Sequence, residues 1–449
     1  MASQWKRLVY AIVYAVYLGE KVKPIQESIR RSLSRYRVAG TDLDRRISGI
    51  VYNIFRNQGL IDHIVHAITG ISLDKTDPLI RSILRTIAYI YQLDTRSGSG
   101  FRRTVRKYCL KLLFEKYPHD KAMKFKGAAD LLCRSKWIPG SWEEEIMYRY
   151  KVSPELYQAL DKAFKLLGED LDQFLRFTLK PLPHVFRVNM LKASRNAIIR
   201  YLRDHGYHVE PGQYSSQAIR IYGSLGHEIL RLVETGILVP QDESSMVAVE
   251  ILDPHEDMEI ADLCAAPGGK TTYIAERTRL RSRIYSFEIY RDRVKRLQLL
   301  LERTGTGKAV RVYVMDAREA LHVLGANSMD RVLVDPPCST TGALARNPDA
   351  RWRYRGSDVE ELSKLQHEIL ETGWKLLRPG GLLLYTTCSV LPWEGEYVVS
   401  RLMKEYSGVR VVELKEPFTQ SKILSPTMRA WPHRHGVIGF YYALLMKST

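Results

Sequence analysis

The sequence predicts an α/β protein: a mostly parallel, doubly wound sheet in the C-terminal half, preceded by an all-helical domain and a small α/β subdomain. Two patterns carry this prediction. Apolar residues recur at helical spacing over the first 140 residues, and strand and helix patterns alternate from about residue 240 onwards. Because 449 residues suffice for two or three domains, we expect a helical domain at 1–140, linker helices and the small α/β region at 145–240, and the doubly wound domain at 241–449.

The first domain is predicted to be helical throughout. Its apolar positions at helical spacing are Val9, Ile12, Val13 and Val16, then Ile47, Ile50, Val51 and Ile54, then Leu79, Ile80, Ile83, Leu84 and Ile87. Asp77 and Pro78 are typical of a helix start, because Asp caps free N–H groups and Pro fits the first turn. Residues 97–100 predict a break, and 118–145, with two prolines, predicts a connection.

The apolar run Leu8–Leu18 follows two basic residues and resembles the start of a signal peptide. It is too short to cross a bilayer, which needs about 20 residues. It also carries three tyrosines and is followed by no cleavage site of small residues. We therefore predict that it is the first buried helix, that no other stretch crosses a membrane, and that the protein is cytoplasmic.

The rest of the chain is predicted to alternate between strands and helices. Two helices are expected over 153–179, followed by a strand at His184–Met190, a helix at Ser194–His205 and strands at Tyr207–Glu210 and Ala218–Tyr222. In the doubly wound domain the expected strands are Glu259–Leu263, Arg283–Glu288, Val310–Met315, Asp330–Val334, Gly381–Tyr385 and Gly439–Leu445. The expected helices between them are Thr271–Arg277, Arg291–Glu302, Ser357–Leu377 and Glu394–Glu405. Ligands of such a sheet bind beyond the carboxyl ends of its strands.

The net charge of +18 is concentrated at one end of the chain: residues 1–140 carry 26 Lys and Arg against 11 Asp and Glu, a net charge of +15. A fold does not require this imbalance, because like charges repel. An anionic partner would offset the repulsion. Nucleic acid is the first interpretation, a membrane surface the second, and a merely soluble basic domain the third.

Five cysteines, an odd number with no CxxC pair, predict neither a disulfide framework nor a zinc site. Reduced thiols in the cytosol fit this usage better. Cys109 and Cys133 lie in apolar helical patterns, and we expect both in the core. Cys338 and Cys388 follow predicted strands directly, where loop residues are rarely core, and we expect them to face one site.

A glycine-rich turn, Asp262–Thr271, lies between a predicted strand and the helix after it. Small residues let the backbone approach a ligand, and the helix N-terminus offers free N–H groups. The spacing matches neither the phosphate loop nor the dinucleotide fingerprint. Acids end the next three predicted strands: Glu288, Asp316 and Asp335. A carboxylate at such a position accepts hydrogen bonds from ribose hydroxyls, so the turn and the acids together predict a nucleoside pocket.

Three segments, DLCAAPGGKT, DPPCS and TTCS, resemble the motifs of the NOL/NOP/Sun family of RNA cytosine-C5 methyltransferases over about 240–449. Further motifs agree: Arg187–Asn189, Gln241–Ser245 and Gly439–Tyr441. Residues 1–140 are similar, more loosely, to the NusB-like RNA-binding domain fused to bacterial Sun-type enzymes. The resemblance implies a Rossmann-like domain that uses S-adenosyl-L-methionine, and an RNA partner.

The resemblance also implies roles for particular residues. Cys388 is the implied nucleophile, Cys338 assists product release, and Asp335 faces the base. Lys270 also approaches the base. The implied S-adenosylmethionine site is Cys264, Ala265, Ala266, Pro267, Gly268, Gly269, Lys270, Glu288, Arg293, Asp316 and Asp335. The sequence departs from the family in two places: Glu288 stands where Asp is common, and after Cys388 the usual Glu-Glu-Asn-Glu is replaced by Trp393-Glu394-Gly395-Glu396, which lacks the Asn.

This reaction explains why two cysteines are needed. C5 of cytosine is a poor nucleophile, and addition of a thiolate to C6 turns the ring into an enamine that attacks a methyl donor at C5. A base must then remove the C5 proton so that the thiolate can leave. An acid at the ring stabilises the charge that develops there.

Three other classes of protein fit the sequence less well. A non-catalytic RNA-binding or ribosome-assembly factor would not need both cysteines and all the acids. An amino-group methyltransferase needs an aromatic residue where Cys338 stands. A DNA cytosine methyltransferase carries its nucleophile in the Pro-Cys motif and has no second cysteine like Cys388. Ribosomal RNA is the favoured substrate and tRNA the alternative, and we expect a monomer that binds no metal and no membrane.

Overall fold

The computed structural model describes residues 2–22, 25–414 and 416–448, apart from the side chains of residues 2 and 3. The chain divides into two compact units. One consists of residues 1–157 with 351–353, and the other of 158–350 with 354–449. In the described residues, no helix combines the length and the apolar character that a membrane crossing requires.

The first unit is helical, as predicted for 1–140. Its helices are α1 (Ala2–Gly19), α2 (Ile25–Arg35), α3 (Asp42–Arg56), α4 (Gln58–Thr69), α5 (Pro78–Ala88), α6 (Ser99–Lys116), α7 (His119–Arg134) and α8 (Trp142–Tyr150). Helix α1 is the predicted first buried helix, since every residue from Leu8 to Val13 is buried. Asp77 caps α5 by accepting a hydrogen bond from the Leu79 N–H at 2.9 Å. Cys109 is buried in this core and Cys133 packs against it, as expected.

The predicted connection over 118–145 is wrong, because most of it is helix. Pro118 immediately precedes α7, where its fixed φ and missing N–H are tolerated. The buried face of α7 consists mainly of alanines, so its apolar pattern in the sequence is weak. The connection between α7 and α8 covers only residues 135–141.

The second unit begins with a small α/β layer. Its elements are α9 (Pro154–Leu167, whose first turn belongs to the first unit), α10 (Leu171–Phe177), β1 (His184–Val188), α11 (Arg195–Asp204), β2 (His208–Pro211), β3 (Ala218–Tyr222), α12 (His227–Glu234) and β4 (Leu238–Pro240). The strands form an antiparallel sheet in the order β2-β3-β1-β4, with His184 opposite Ile221. The predicted strands and helices of this region are confirmed, and α12 and β4 were not predicted.

The large sheet of the second unit has nine strands in the order β11-β12-β13-β9-β8-β5-β6-β7, with β10 also paired to β13. The strands are β5 (Glu259–Asp262), β6 (Arg283–Phe287), β7 (Val310–Tyr313), β8 (Met329–Val334), β9 (Leu377–Thr387), β10 (Val409–Val411), β11 (Thr419–Gln420), β12 (Met428–Ala430) and β13 (Phe440–Lys447). The helices are α13 (Glu243–Leu252), α14 (Gly269–Arg277), α15 (Arg291–Thr304), α16 (Ala320–Leu324), α17 (Ala350–Arg353, of which 351–353 belong to the first unit), α18 (Gly356–Leu376), α19 (Glu396–Glu405) and α20 (Pro432–His435).

Five neighbouring strands of the sheet, in the order β9-β8-β5-β6-β7, run parallel. This confirms the prediction of a mostly parallel sheet. Apolar clusters cover both faces, as in other parallel sheets. The carboxyl ends of β5, β6, β8 and β9 therefore meet at one edge. The two predicted cysteines, the glycine-rich turn and the acids all follow these strands or β7.

Candidate active site

The glycine-rich turn joins β5 to α14. Gly268 has φ +106°, and a Cβ there would lie 2.6 Å from a methyl carbon of Leu297, so only glycine fits this position without strain. Helix α14 begins at the next residue. Its N-terminal N–H groups point toward the carboxyl edge of the sheet, where they attract electron-rich groups of a ligand.

Asp262, the last residue of β5, is buried beneath this turn. Burial raises the pKa of its carboxyl group to about 6. Oδ2 accepts a hydrogen bond from the Thr271 hydroxyl at 2.6 Å. In the described part of the chain, Oδ1 has no hydrogen-bond partner. A buried oxygen of this kind normally has one, so it can receive a donor from a ligand.

Glu288 follows β6 and is only 4% exposed. Arg293 connects it to the glycine-rich turn: Nη1 lies 2.9 Å from Glu288 Oε2, and Nη2 donates to the Ala266 carbonyl at 2.6 Å. Oε1 of Glu288 accepts from the Tyr290 N–H. The structure thus brings together three of the predicted site residues.

Asp316 lies beside Glu288, since the N–H of Met315 donates to the Glu288 carbonyl at 3.2 Å. The hydrogen bond from Arg318 holds the pKa of Asp316 below its usual value. Cys264 lies within the turn, where burial raises the pKa of its thiol well above the usual value. A neutral thiol here adds no charge to the pocket.

Asp335 follows β8 and pairs with Lys270 of the glycine-rich turn, with Nζ 2.6 Å from Oδ2. The Lys270 ammonium also lies 5.2 Å from the centre of the Phe440 ring. This pair joins the DPPCS loop to the glycine-rich turn. Lys270, a predicted cofactor residue, is therefore in direct contact with Asp335, the residue predicted to face the base.

The sulfurs of Cys338 and Cys388 lie 3.1 Å apart. The hydrogen bond to Cys388, together with burial, raises the pKa of Cys338 well above its usual value. Cys338 therefore holds its proton near neutral pH, and either sulfur can be the donor in the contact between them. The two cysteines predicted to share one site do share it.

Glu394 holds both cysteine loops, although it carries no predicted role. Oε1 accepts from the Ser339 N–H at 2.8 Å and from the side-chain amide of Gln366 at 3.1 Å. Oε2 accepts from the hydroxyls of Ser339 and, at 2.6 Å, Ser389. Each serine directly follows one of the cysteines. Glu394 is fully buried, so its charge is stabilised by these four donors.

A second contact fixes the backbone of Cys388. Its carbonyl accepts from the Gly342 N–H at 2.9 Å, and the Gly342 carbonyl accepts from the Gly439 N–H at 2.9 Å. A Cβ at Gly342 would lie 2.2 Å from the Gly439 carbonyl oxygen. Glycine is required here because three backbone segments cross within contact distance.

Arg187 supports the glycine-rich turn from the small α/β layer. Its guanidinium is buried, pairs with Glu276 at 2.7 Å, and donates to the Gly269 carbonyl at 2.7 Å and to the side-chain oxygen of Gln241. The sequence singled out the segments containing Arg187 and Gln241 but not this function. A buried Arg-Glu pair 89 residues apart leaves no local signal.

S-adenosylmethionine suits this set of residues. Glu288 and Asp316 stand at neighbouring strand ends where ribose and adenine groups are held in folds of this kind. Asp262 ends the strand that leads into the glycine-rich turn of this pocket. Among the described residues, no group of three or more His, Cys, Asp or Glu side chains could hold a metal ion.

These elements form the Rossmann-like fold of S-adenosylmethionine-dependent methyltransferases. Residues 249–446 match the family described as 16S rRNA methyltransferase RsmB/F, and residues 156–226 match its ferredoxin-like domain. The chain belongs to this family, which is the NOL/NOP/Sun family predicted from the motifs.

Two curated relatives and two solved structures place the chain more narrowly. It is 35% identical to ribosomal RNA small subunit methyltransferase B of Photorhabdus laumondii over 64% of this chain and 65% of that protein. The enzyme of the same name from Yersinia enterocolitica is also 35% identical, over 59% and 60%. The match thus spans less than two thirds of these relatives.

The crystal structure of PH0851 covers 98% of this chain and 99% of its own at 34% identity, with a TM-score of 0.92. A methyltransferase homologue from Pyrococcus horikoshii covers 66% of this chain and all of its own at 28% identity, with a TM-score of 0.58. The likeness to PH0851 therefore extends over both compact units.

Proposed function

We propose that the protein is an S-adenosylmethionine-dependent RNA (cytosine-C5) methyltransferase that acts on ribosomal RNA through a covalent cysteine intermediate. The observation that carries this proposal is the pair of cysteine sulfurs 3.1 Å apart at the ends of neighbouring strands. Two adjacent cysteines can supply what the reaction needs: a nucleophile and a separate group that assists its departure.

The cofactor residues of this proposal are the turn from Cys264 to Lys270 with Glu288, Arg293, Asp316 and Asp335, to which we add Asp262. Bound S-adenosylmethionine would supply an electrophilic methyl group. The acids would hold its nucleoside, and the buried Oδ1 of Asp262 would accept from its ammonium group.

In the first step the Cys388 thiolate adds to C6 of cytosine, which forms a C–S bond and makes C5 nucleophilic. Asp335 accepts a hydrogen bond from the exocyclic amino group, and the Lys270 ammonium beside it stabilises the negative charge on the ring. C5 would then form its bond to the methyl carbon while the bond between that carbon and the donor's sulfonium sulfur breaks, with the electron pair leaving on sulfur. Finally C5 loses its proton to a solvent base, the C6–S bond breaks, and its electron pair returns to Cys388. There the S–H of Cys338 stabilises the thiolate.

A denaturing gel with labelled RNA and S-adenosylmethionine tests these roles. Cys388→Ala forms no C–S bond, so we expect no methylation and no shifted band. Cys338→Ala still attacks but loses the group that assists departure, so we expect a covalent protein–RNA band. Cys133→Ala, in the helical core, is the control and should methylate without trapping.

A trapped Cys388→Ala would place the nucleophile in the DPPCS loop instead. Full methylation by both variants would rule out covalent catalysis. The RNA itself is identified by bisulfite sequencing of total RNA from a deletion strain. We expect one lost 5-methylcytosine in ribosomal RNA, and a loss confined to tRNA would favour the alternative substrate.

The basic residues 1–140 are proposed to bind this RNA as a NusB-like domain, and 145–240 and 241–449 to form the linking and catalytic domains. The +15 charge of residues 1–140 supports the first assignment. The monomeric state and the cytoplasmic location stay predictions.

A further inference from the structure

The helical unit contains a cavity of about 440 Å³ that has no part in the chemistry described above. This volume is within the range of roughly 300–1,000 Å³ that small-molecule and cofactor sites occupy. Its lining is unusually rich in tyrosine and in cations. The lining residues are Tyr10, Val13, Tyr14, Tyr17, Lys21, Arg35, Tyr36, Asp77, Pro78, Leu79, Leu112, Lys116 and Tyr117.

Five tyrosine rings form the walls. Tyr10, Tyr14 and Tyr17 lie on one face of α1, because they are spaced four and three residues apart. The rings of Tyr14 and Tyr17 are stacked with centres 6.2 Å apart, and Tyr36 meets Tyr14 edge-on at 5.9 Å. Tyr14, Tyr17 and Tyr36 are each partly exposed, so a planar ligand in the cavity can reach these rings.

The cations of the cavity are exposed at its rim. Arg35 lies over the Tyr14 ring at 4.7 Å and Lys21 over the Tyr17 ring at 4.8 Å. Within the described chain, neither these two nor Lys116 forms an ion pair with a carboxylate. The single acid of the lining, Asp77, is occupied by the Tyr117 hydroxyl and the N-terminus of α5. The rim is therefore positive and the walls aromatic.

We propose that this cavity binds one unpaired base of the RNA substrate, stacked on Tyr14 and its neighbours, while Lys21, Arg35 and Lys116 hold the flanking phosphates. Aromatic faces recognise unstacked bases, and a cationic rim follows the backbone. A duplex presents no free base face and would contact only the rim. The inference rests on the proposed function only in taking the partner to be RNA, and it does not depend on which cysteine is the nucleophile.

The test uses the full-length protein and a fluorescently labelled single-stranded RNA decamer, with binding measured by anisotropy. Tyr14→Leu removes the ring and should weaken binding about tenfold, the lower part of the range for one base–aromatic stack. Tyr14→Phe keeps the ring and should stay within about twofold of the wild type. Tyr148→Leu is the matched control, because Tyr148 is also an exposed tyrosine of this unit with a lysine, Lys151, over its ring.

Salt dependence separates base contacts from phosphate contacts. Arg35→Ala should lower the slope of log affinity against log salt by about one, while Tyr14→Leu should leave the slope unchanged. All variants should keep the wild-type melting temperature and the wild-type affinity for S-adenosylhomocysteine, which controls for folding.

Three results would overturn the inference. One is equal affinity of wild-type protein and Tyr14→Leu for the single strand. Another is a loss of RNA affinity with Tyr14→Phe as large as that with Tyr14→Leu, because stacking uses the ring and not the hydroxyl. The third is binding of a free nucleoside monophosphate with no binding of the decamer, which would assign the cavity to a small molecule. Failure of the cysteine-trapping experiment alone would leave this inference standing.

Discussion

Ser339 and Ser389 share one hydrogen-bond acceptor, the buried carboxylate of Glu394. Each serine is the residue that follows one of the two active-site cysteines, and 50 residues separate them in the chain. One carboxylate thus sets the distance between two loops that come from different strands. The separation of the two sulfurs depends on a residue that touches neither of them.

We expect Glu394→Gln to slow methyl transfer while leaving RNA binding unchanged. The glutamine amide cannot accept hydrogen bonds from all four donors. The two cysteine loops should therefore shift relative to each other, and the two sulfurs should move apart. Loss of a hydrogen bond to a charged group costs about 1.5–3 kcal/mol, enough to slow transfer by about tenfold or more. The measurement is single-turnover methylation at saturating RNA.

A positioning role also predicts slower formation of the covalent band when Glu394→Gln is combined with Cys338→Ala. Ser363→Ala is the control, because Ser363 donates at 2.7 Å to the neighbouring Trp393 carbonyl and not to the carboxylate. An unchanged rate of band formation in the double variant would show that Glu394 serves the fold alone.

Glu288→Ala and Asp316→Ala should each weaken S-adenosylhomocysteine binding by about 1–3 kcal/mol, the cost of hydrogen bonds lost from charged groups. Isothermal calorimetry measures this directly. Asp292→Ala, which removes an exposed carboxylate beside Arg293, is the control and should bind normally. If all three variants gave the same binding heat as the wild type, neither Glu288 nor Asp316 would be part of the cofactor site.

Cofactor affinity should rise as the pH increases from about 5 to 7. Burial raises the pKa of Asp262 to about 6, so the group is protonated below this pH, and an ammonium ligand favours its ionised form. Binding of S-adenosylhomocysteine near pH 5.5 should therefore release a proton, seen as a difference between calorimetric heats in two buffers of unlike ionisation enthalpy.

Asp262→Asn should abolish this proton release. We expect the opposite trend in the stability of the free protein: because the folded pKa of Asp262 is raised, its contribution is most favourable below about pH 4 and is lost as the pH rises to about 6. Proton release that persists in Asp262→Asn would assign the titration to another group.

Arg187→Met should destabilise the protein by about 3–5 kcal/mol, because it leaves the Glu276 carboxylate buried without its partner. Both side chains of this pair are fully buried. Lys295→Met breaks an exposed pair with Asp292 and should cost less than about 0.5 kcal/mol. Chemical denaturation compares the two, and equal small losses would mean that Arg187 does not support the fold.

The sequence predicted the parallel strands because they are buried on both faces and therefore read as apolar runs between helices. It did not predict β10, β11 and β12, which are two or three residues long and therefore too short to show an alternating pattern of apolar residues. It also missed α7, whose buried face is mostly alanine. In the candidate site, Cys338, Cys388 and the acids were predictable, since each directly follows a strand or lies in a motif.

Glu394 and Arg187 were not assigned roles, because their functions arise from contacts across 55 and 89 residues of chain. Such contacts follow from the register of whole strands and loops and not from local pattern. The matched serines after both cysteines were the one local signal for Glu394.

The short distance of 3.1 Å between the sulfurs of Cys338 and Cys388 also makes this pair vulnerable to oxidation. A shift of about 1 Å would bring them to disulfide distance, and a small oxidant that takes two electrons and two protons would join them. The proposed nucleophile, Cys388, would then be withdrawn without any change to the proposed cofactor pocket. We therefore expect oxidation to remove the proposed methyltransferase activity and a thiol reductant to restore it.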